Sequence, residues 1–168
     1  MPVTGLDGLR ERLAAFLEER GVHAVTAWSP QPARDHRAPV AAVALKQVEG
    51  DGLGFQNYLG VRYNPEAGAW EELYGRRLRL VFGLDLYVPK EQGGEGCQRA
   101  FAGLAQALTG EEPRGLSLGR LSCGEAEFHR ESGMFRCPAE LEAQAWMYAA
   151  AAQDGGLLLD FDVKGERT

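Results

Sequence analysis

The chain has 168 residues, of which 45% are hydrophobic and 25% are charged, and it carries a formal net charge of −6. These values are ordinary for one globular domain, so we expect a single domain over residues 1–168. The acidic balance argues against a protein whose main task is to bind nucleic acid, because that task needs a basic patch against the phosphates.

The first fifty residues predict a helix followed by two strands. Apolar residues recur at helical spacing within residues 4–20, namely at Leu6, Leu9, Leu13, Phe16 and Leu17. Gly21 is expected to end this helix. We predict a short strand over residues 22–28, a proline-rich loop after it, and a second strand over residues 40–48 whose first positions are almost all apolar.

An aromatic-rich segment follows over residues 50–75, with six glycines and five aromatic residues. Residues 64–68 read Asn-Pro-Glu-Ala-Gly, which is typical of a turn. We predict a long hairpin-like excursion between two core strands, because a disordered linker would hardly hold so many rings. The rings either fold back onto the domain's own core or project as an interaction arm. The candidate interface residues are Phe55, Tyr58, Tyr63, Trp70 and Tyr74.

The segment 76–110 is the stretch around which the chain is organised. Every second residue of its first half is apolar, namely Leu78, Leu80, Phe82, Leu84, Leu86 and Val88. This period of two predicts a half-buried strand, and Pro89 is expected to end it. Cys97, Phe101, Leu104 and Leu108 then lie on one helical face. We therefore predict a strand and a helix, with Gly110 just after the helix.

A glycine-rich junction joins this strand to this helix at residues 93–96. It invites comparison with a phosphate-binding loop, but neither GK[ST] nor GxGxxG is present, and Glu95 would repel a phosphate. We predict a plain turn in which Glu95 complements the helix dipole.

The last third of the chain predicts strands. We expect them within residues 115–128 and over residues 157–163, with a turn at 129–133. Residues 134–150 fit two structures, because seven apolar positions alternate as in a strand, whereas alanine and glutamate are strong helix formers. We predict the strand, because the alternation is sustained and a turn precedes it. The elements together predict an α+β domain, a mostly antiparallel or mixed sheet with two helices packed on one face.

No pattern in the chain predicts catalysis, so we expect no enzyme activity, no cofactor and no metal site. His23, His36 and His129 lie far apart, and none belongs to an HxxxH or HExxH pattern. His129 with Glu125 and Glu131 could form an acid/base cluster, but such a group at a turn is most often solvated charge.

The cysteines predict a reducing environment. There are three of them, at positions 97, 123 and 137, without a CxxC pattern, so we expect neither a disulfide framework nor a zinc site. Cys123 and Cys137 could face each other across adjacent strands, where we expect small buried hydrophobes rather than reactive thiols. We see no signal peptide and no apolar run near the roughly 20 residues that span a bilayer, which predicts a cytoplasmic protein.

Four segments resemble the tail terminator, or tail completion, proteins of long-tailed phages and prophages and of phage-like contractile particles. These segments are YLGVRYNPEAGAWEELYG, LDLYVPKEQGGEGCQRAFAGLAQAL, GLSLGRLSCGEAEFHRESGMFRC and AWMYAA. The resemblance extends from Leu6 to Val163 and concerns the order of elements rather than a short motif. It implies a structural protein that assembles as a hexameric ring, caps the tail tube, stops its polymerisation and forms the joint to the head or neck.

The same resemblance implies the partners and the location. The partners would be further copies of the chain, the tail tube protein, the head-completion or neck protein and, in contractile tails, the sheath protein. DNA would pass the lumen without specific binding, and no membrane would be involved. The protein would be found in the host cytoplasm during assembly and then in the virion tail. A ring needs head-to-tail interfaces that close, which the aromatic excursion could supply.

Two alternatives stay open. The chain could be a neck, head–tail connector or baseplate-proximal structural protein of the same particle. From another class, it could be a small cytoplasmic enzyme or ligand-binding domain with a pocket lined by Tyr58, Tyr63 and Trp70.

Overall fold

A computed structural model of the protein describes residues 6–27, 38–50, 58–152 and 157–164, and it describes no side chains at 7, 58–60, 62, 73–76, 146–152 and 157–164. Helix α1 spans Leu6–Glu19 and helix α2 spans Gly93–Ala107, with a 3-10 turn at Lys90–Gln92 before α2. The described strands form one sheet: β1 (Ala24–Val25), β2 (Val40–Gly50), β3 (Tyr58–Asn64), β4 (Ala69–Pro89), β5 (Ser117–Cys123), β6 (Glu127–His129), β7 (Met134–Cys137), β8 (Ala139–Ala152) and β9 (Leu157–Lys164). The fold is a single-domain α+β fold, as predicted.

The sheet is built around β4, which has 21 residues. Along one side, β4 pairs antiparallel with β8 from Glu71 to Gly83 and with β7 from Leu86 to Pro89. The two ladders keep the same register, so β7 and β8 form one continuous partner of β4 that is interrupted only at Pro138, which has no N–H to donate. We call β4 and this partner the central ribbon. The strand predicted over 134–150 is thus confirmed, and tertiary pairing overrides the helix propensity of its alanines.

Both helices pack on one face of the central ribbon. Leu9, Leu13 and Leu17 of α1 and Leu104 of α2 are fully buried in the same cluster as β4. The β4 members of this cluster are the predicted ones, Leu78, Leu80, Phe82, Leu84, Leu86 and Val88. The alternation along β4 therefore identified the face of the sheet that carries the helices.

The glycine-rich junction is the place where α2 begins against β4. Gly93 has a φ of +63°, which favours glycine, and the helix starts at this residue. At Gly96 an added Cβ would lie 2.5 Å from Gln92 Cβ and 2.8 Å from Val88 Cγ1. The plain turn predicted at residues 93–96 is therefore wrong, because these residues form the first turn of α2, and the close contacts at Gly96 give the junction a packing role.

The strand predicted over residues 22–28 is much shorter in the structure. Only Ala24 and Val25 pair, in parallel with Ala41 and Ala42 of β2, because the chain bends at the next two residues. The prediction of a strand over the whole of residues 22–28 is therefore wrong for the described part of this segment. Among the described helices, none is long and apolar enough to cross a membrane.

Candidate interaction surface

The central ribbon is much longer than the helices that cover it. At about 3.3 Å per residue, the 21 residues of β4 span about 69 Å. At 1.5 Å per residue, the 14 and 15 residues of the two helices span only about 22 Å. We call the far end the arm, where β3 pairs with residues 69–74 of β4 and β9 pairs with the second half of β8. The arm extends past the layer of helices.

Three large apolar side chains are exposed on the arm, and we call them the arm patch. Val61, Tyr63 and Trp70 are 51%, 52% and 51% exposed. Tyr63 and Trp70 lie directly opposite each other in the β3–β4 ladder, with ring centroids 5.5 Å apart and an angle of 64° between the planes. Trp70 is eight residues from Leu78 in one unbroken register, so both lie on the same face of β4. The arm patch therefore continues the core face beyond the point where the helices cover it.

The turn at the tip of the arm is held by local hydrogen bonds. Asn64 Oδ1 accepts hydrogen bonds from the backbone N–H groups of Glu66 at 3.0 Å and Ala67 at 3.3 Å, and Gly68 has a φ of +62°. Asn64 Nδ2 also donates to Glu71 Oε1 at 2.7 Å, and Glu71 is buried. These contacts fix the register of the β3–β4 hairpin and hence the side on which Tyr63 and Trp70 emerge.

The five predicted interface residues differ in where they lie and in how much of them the structure describes. Tyr63 and Trp70 project from the sheet and do not join the core. Tyr58 and Tyr74 pair with each other across β3 and β4, in a part of the arm whose side chains the structure does not describe. Phe55 lies outside the described residues. Val61 was not among the predicted residues, because only aromatic residues were considered, although Val61 and Tyr63 lie two residues apart and hence on the same face of β3.

We call the part of the sheet that carries the helices the body. A cavity of about 520 Å³ lies on the face of the body opposite the helices. Its lining comprises Gln47, Glu49, Arg79, Leu80, Val81, Ser117, Leu118, Gly119, Glu142, Ala143 and Gln144. The register shifts in β2 and β5 occur beside it, and such bulges bend a sheet. Neither Tyr63 nor Trp70 lines this cavity, and the side chain of Tyr58 lies outside the described part of the chain, so the cavity is not formed by the ring pair considered from the sequence.

His129 is held within its own turn. His129 Nδ1 lies 2.8 Å from Ser132 Oγ, and Ser132 is buried, so its hydroxyl is closed to a substrate. Among the described contacts, neither Glu125 nor Glu131 bonds to His129, and the acid/base cluster considered above does not form. The ring of Tyr87 packs edge-on against His129, and burial raises the pKa of this tyrosine.

The structure contradicts the expectation that no disulfide forms. Cys123 and Cys137 are joined, with their Cα atoms 6.7 Å apart. The reason is the register of β5 with β8, which places Cys123 opposite Ala139, two residues after Cys137 in the same partner strand. Cys97 remains free and buried, and burial raises the pKa of its thiol. An odd number of cysteines leaves one thiol over but does not prevent a pair.

Among the described residues, no group of three or more His, Cys, Asp or Glu side chains is placed to hold a metal ion. No protein-family model matches the chain, and a comparison with curated proteins finds no relative. Among the described residues, the arm and its exposed patch are therefore the features that bear on function.

Proposed function

We propose that the protein is a structural subunit of a phage or prophage tail, of the tail terminator type. In this proposal copies of the chain form a hexameric ring that caps the tail tube, stops its polymerisation and offers a surface to the head or neck. The observation that carries the proposal is the arm, which presents the exposed face of Val61, Tyr63 and Trp70 beyond the helix-covered body.

An exposed patch of this kind is typical of a protein that assembles. Large apolar side chains grouped on a monomer's surface favour association, and half-exposed tyrosine and tryptophan are frequent anchors of interfaces. β4 runs through both the body and the arm. Continuous backbone pairing therefore connects a neighbour bound at the arm to the core. This continuity is what a subunit needs in order to hold a neighbour in a fixed orientation.

The position of the arm favours a head-to-tail arrangement. The arm lies at one end of a ribbon about 69 Å long, so it can reach a neighbour's body while its own body is held by the next copy. Contacts between two different surfaces form closed rings when the rotation closes. The net charge of −6 would suit a ring through which DNA slides without adhering.

The test is to add the purified protein to growing tail tubes and to examine the tubes by electron microscopy. We expect density at one end of each tube and an end to elongation. Trp70→Ala should weaken capping about 30-fold, the effect of losing roughly 2 kcal/mol at an interface anchor, while the thermal stability of the fold changes little.

Phe128→Ala is the matched control. Phe128 is 45% exposed, and its ring packs against Phe135 at 5.5 Å, as Trp70 packs against Tyr63. It lies near the other end of the central ribbon, so this variant should cap as the wild type does. Equal effects of the two substitutions would contradict the role of the arm, and tubes that keep growing with the wild-type protein would refute the proposed function.

A further inference from the structure

The β6–β7 hairpin pairs with the rest of the sheet through a ladder of few residues. Among the described strands, β6 pairs only with β7, and β7 pairs with β4 over four positions, from Leu86 to Pro89. The disulfide closes the base of this hairpin, because Cys123 ends β5 just before it and Cys137 ends β7. Besides this ladder and the covalent bond, the ion pair of Arg136 with Asp85 at 2.8 Å and the ring contact of His129 with Tyr87 join the hairpin to β4.

The two sulfur atoms are placed so that the pair has a partner in either redox state. Cys123 is half-buried, whereas Cys137 is 4% exposed. The carbonyl oxygen of Gly124 lies 3.5 Å from Cys123 Sγ and 3.6 Å from Cys137 Sγ. If the bond is reduced, this oxygen can accept a hydrogen bond from either thiol without a rearrangement. Cys137 then remains a small buried hydrophobe at the edge of the core.

We propose that the Cys123–Cys137 disulfide is a redox-sensitive clamp on the β6–β7 hairpin, opened by a dithiol and closed by a low-molecular-weight disulfide. The proposal does not depend on the tail function. It requires that the fold tolerates both states and that the hairpin alone responds.

The opening reaction is thiol–disulfide exchange. A thiolate of the dithiol attacks Cys123 Sγ, the more exposed sulfur, and Cys137 leaves as a thiolate that takes up a proton. The second thiol of the reductant then attacks the mixed disulfide, which releases Cys123 and leaves the reductant oxidised. Two electrons and two protons pass to the pair. The two cysteine thiols form the disulfide again by exchange with oxidised glutathione, which is reduced to two molecules of glutathione.

Opening should act locally. After reduction, the ladder of β7 with β4 and the burial of Met134 remain. What is lost is the covalent constraint that the disulfide places on the hairpin when it opens. Segments with few buried contacts open independently of the rest of a fold. The helices and the central part of β4 should not respond.

The experiment compares hydrogen exchange of the full chain in dithiothreitol and in oxidised glutathione, with alkylation and mass measurement to count thiols. In oxidised glutathione we expect Cys97 as the one remaining thiol, reactive only after denaturation. In dithiothreitol we expect the native far-UV spectrum, with amide exchange over residues 127–137 at least tenfold faster and exchange in α1 and α2 unchanged.

Two variants complete the test. Cys123→Ser should exchange like the reduced protein in both buffers, and it alters a half-buried position that the fold tolerates better than Cys137. Cys97→Ala should keep the full redox response. The proposal is wrong if all three cysteines stay reduced in oxidised glutathione, or if the bond is reduced only after denaturation. It is also wrong if exchange over residues 127–137 is unchanged by reduction, or if reduction unfolds the whole chain.

Discussion

Replacing Gly96 with alanine measures how closely α2 is pressed against the central ribbon. The added methyl group would lie 2.5 Å from Gln92 Cβ and 2.8 Å from Val88 Cγ1, closer than real Cβ atoms approach. Val88 is fully buried in the core and cannot move aside freely. The backbone of the helix or of β4 must therefore shift to admit one methyl group.

The expected magnitude is the difference between two effects. Overpacking a core costs about 1–3 kcal/mol, and we take the upper value because both contacts are shorter than 3.0 Å. Alanine favours the helix over glycine by about 1 kcal/mol. The net loss at Gly96 is then about 2 kcal/mol, which corresponds to a decrease in Tm of about 4–8 °C for a chain of this size.

Gly103→Ala in the same helix is the control with the opposite sign. Apart from the adjacent residues and the backbone of the helix itself, no atom of the described residues lies within 4 Å of a Cβ built at Gly103. Only the helix propensity changes, and stability should rise by about 0.5–1 kcal/mol. Urea unfolding of both variants gives the two changes from the transition midpoints if the slopes are equal. A Gly96→Ala protein as stable as Gly103→Ala would refute the packing argument.

Two other substitutions concern the core and acid stability. Leu84→Asp should abolish cooperative urea unfolding, because it buries an unpaired charge at a fully buried position, whereas Leu84→Met should cost less than about 1.5 kcal/mol. A cooperative transition in the aspartate variant would contradict the position of Leu84. The hydrogen bond from the backbone N–H of Ala24 lowers the pKa of Glu18, and the contact with His23 adds to this. The stability that Glu18 contributes is therefore present above the ordinary glutamate pKa and lost as pH falls through the lowered one. The stability difference from Glu18→Gln, measured by urea unfolding, should shrink in that acid range, and a difference independent of pH would contradict the assignment.

Local periodicity predicted most of the fold. The alternation from Leu78 to Val88 identified a strand and its buried face, and the apolar stripes of both helices identified the sides that pack on it. Residues 22–28 show the limit of such reasoning. Their apolar character fits a strand, but β1 pairs over only two residues, and the length of a ladder depends on its partner.

Neither the disulfide nor the arm patch could be predicted from a local pattern, because both depend on how the elements are arranged along the whole sheet. Cys123 lies beside Cys137 only because β5 pairs with β8 in one particular register, which no local pattern contains. The exposure of Trp70 and Tyr63 likewise depends on two helices being about a third as long as β4. Composition identified these rings, but whether they were buried required the structure.

The single register of the central ribbon restricts how its length can change. Inserting one residue into β4 between Trp70 and Leu78 would turn the arm patch to the opposite face, because side chains alternate along a strand. Only insertions of two residues, matched in β4 and β8, keep both the patch and the pairing. An insertion of two residues lengthens the arm by about 7 Å. Variants that keep both the patch and the pairing should therefore differ in arm length by multiples of about 7 Å.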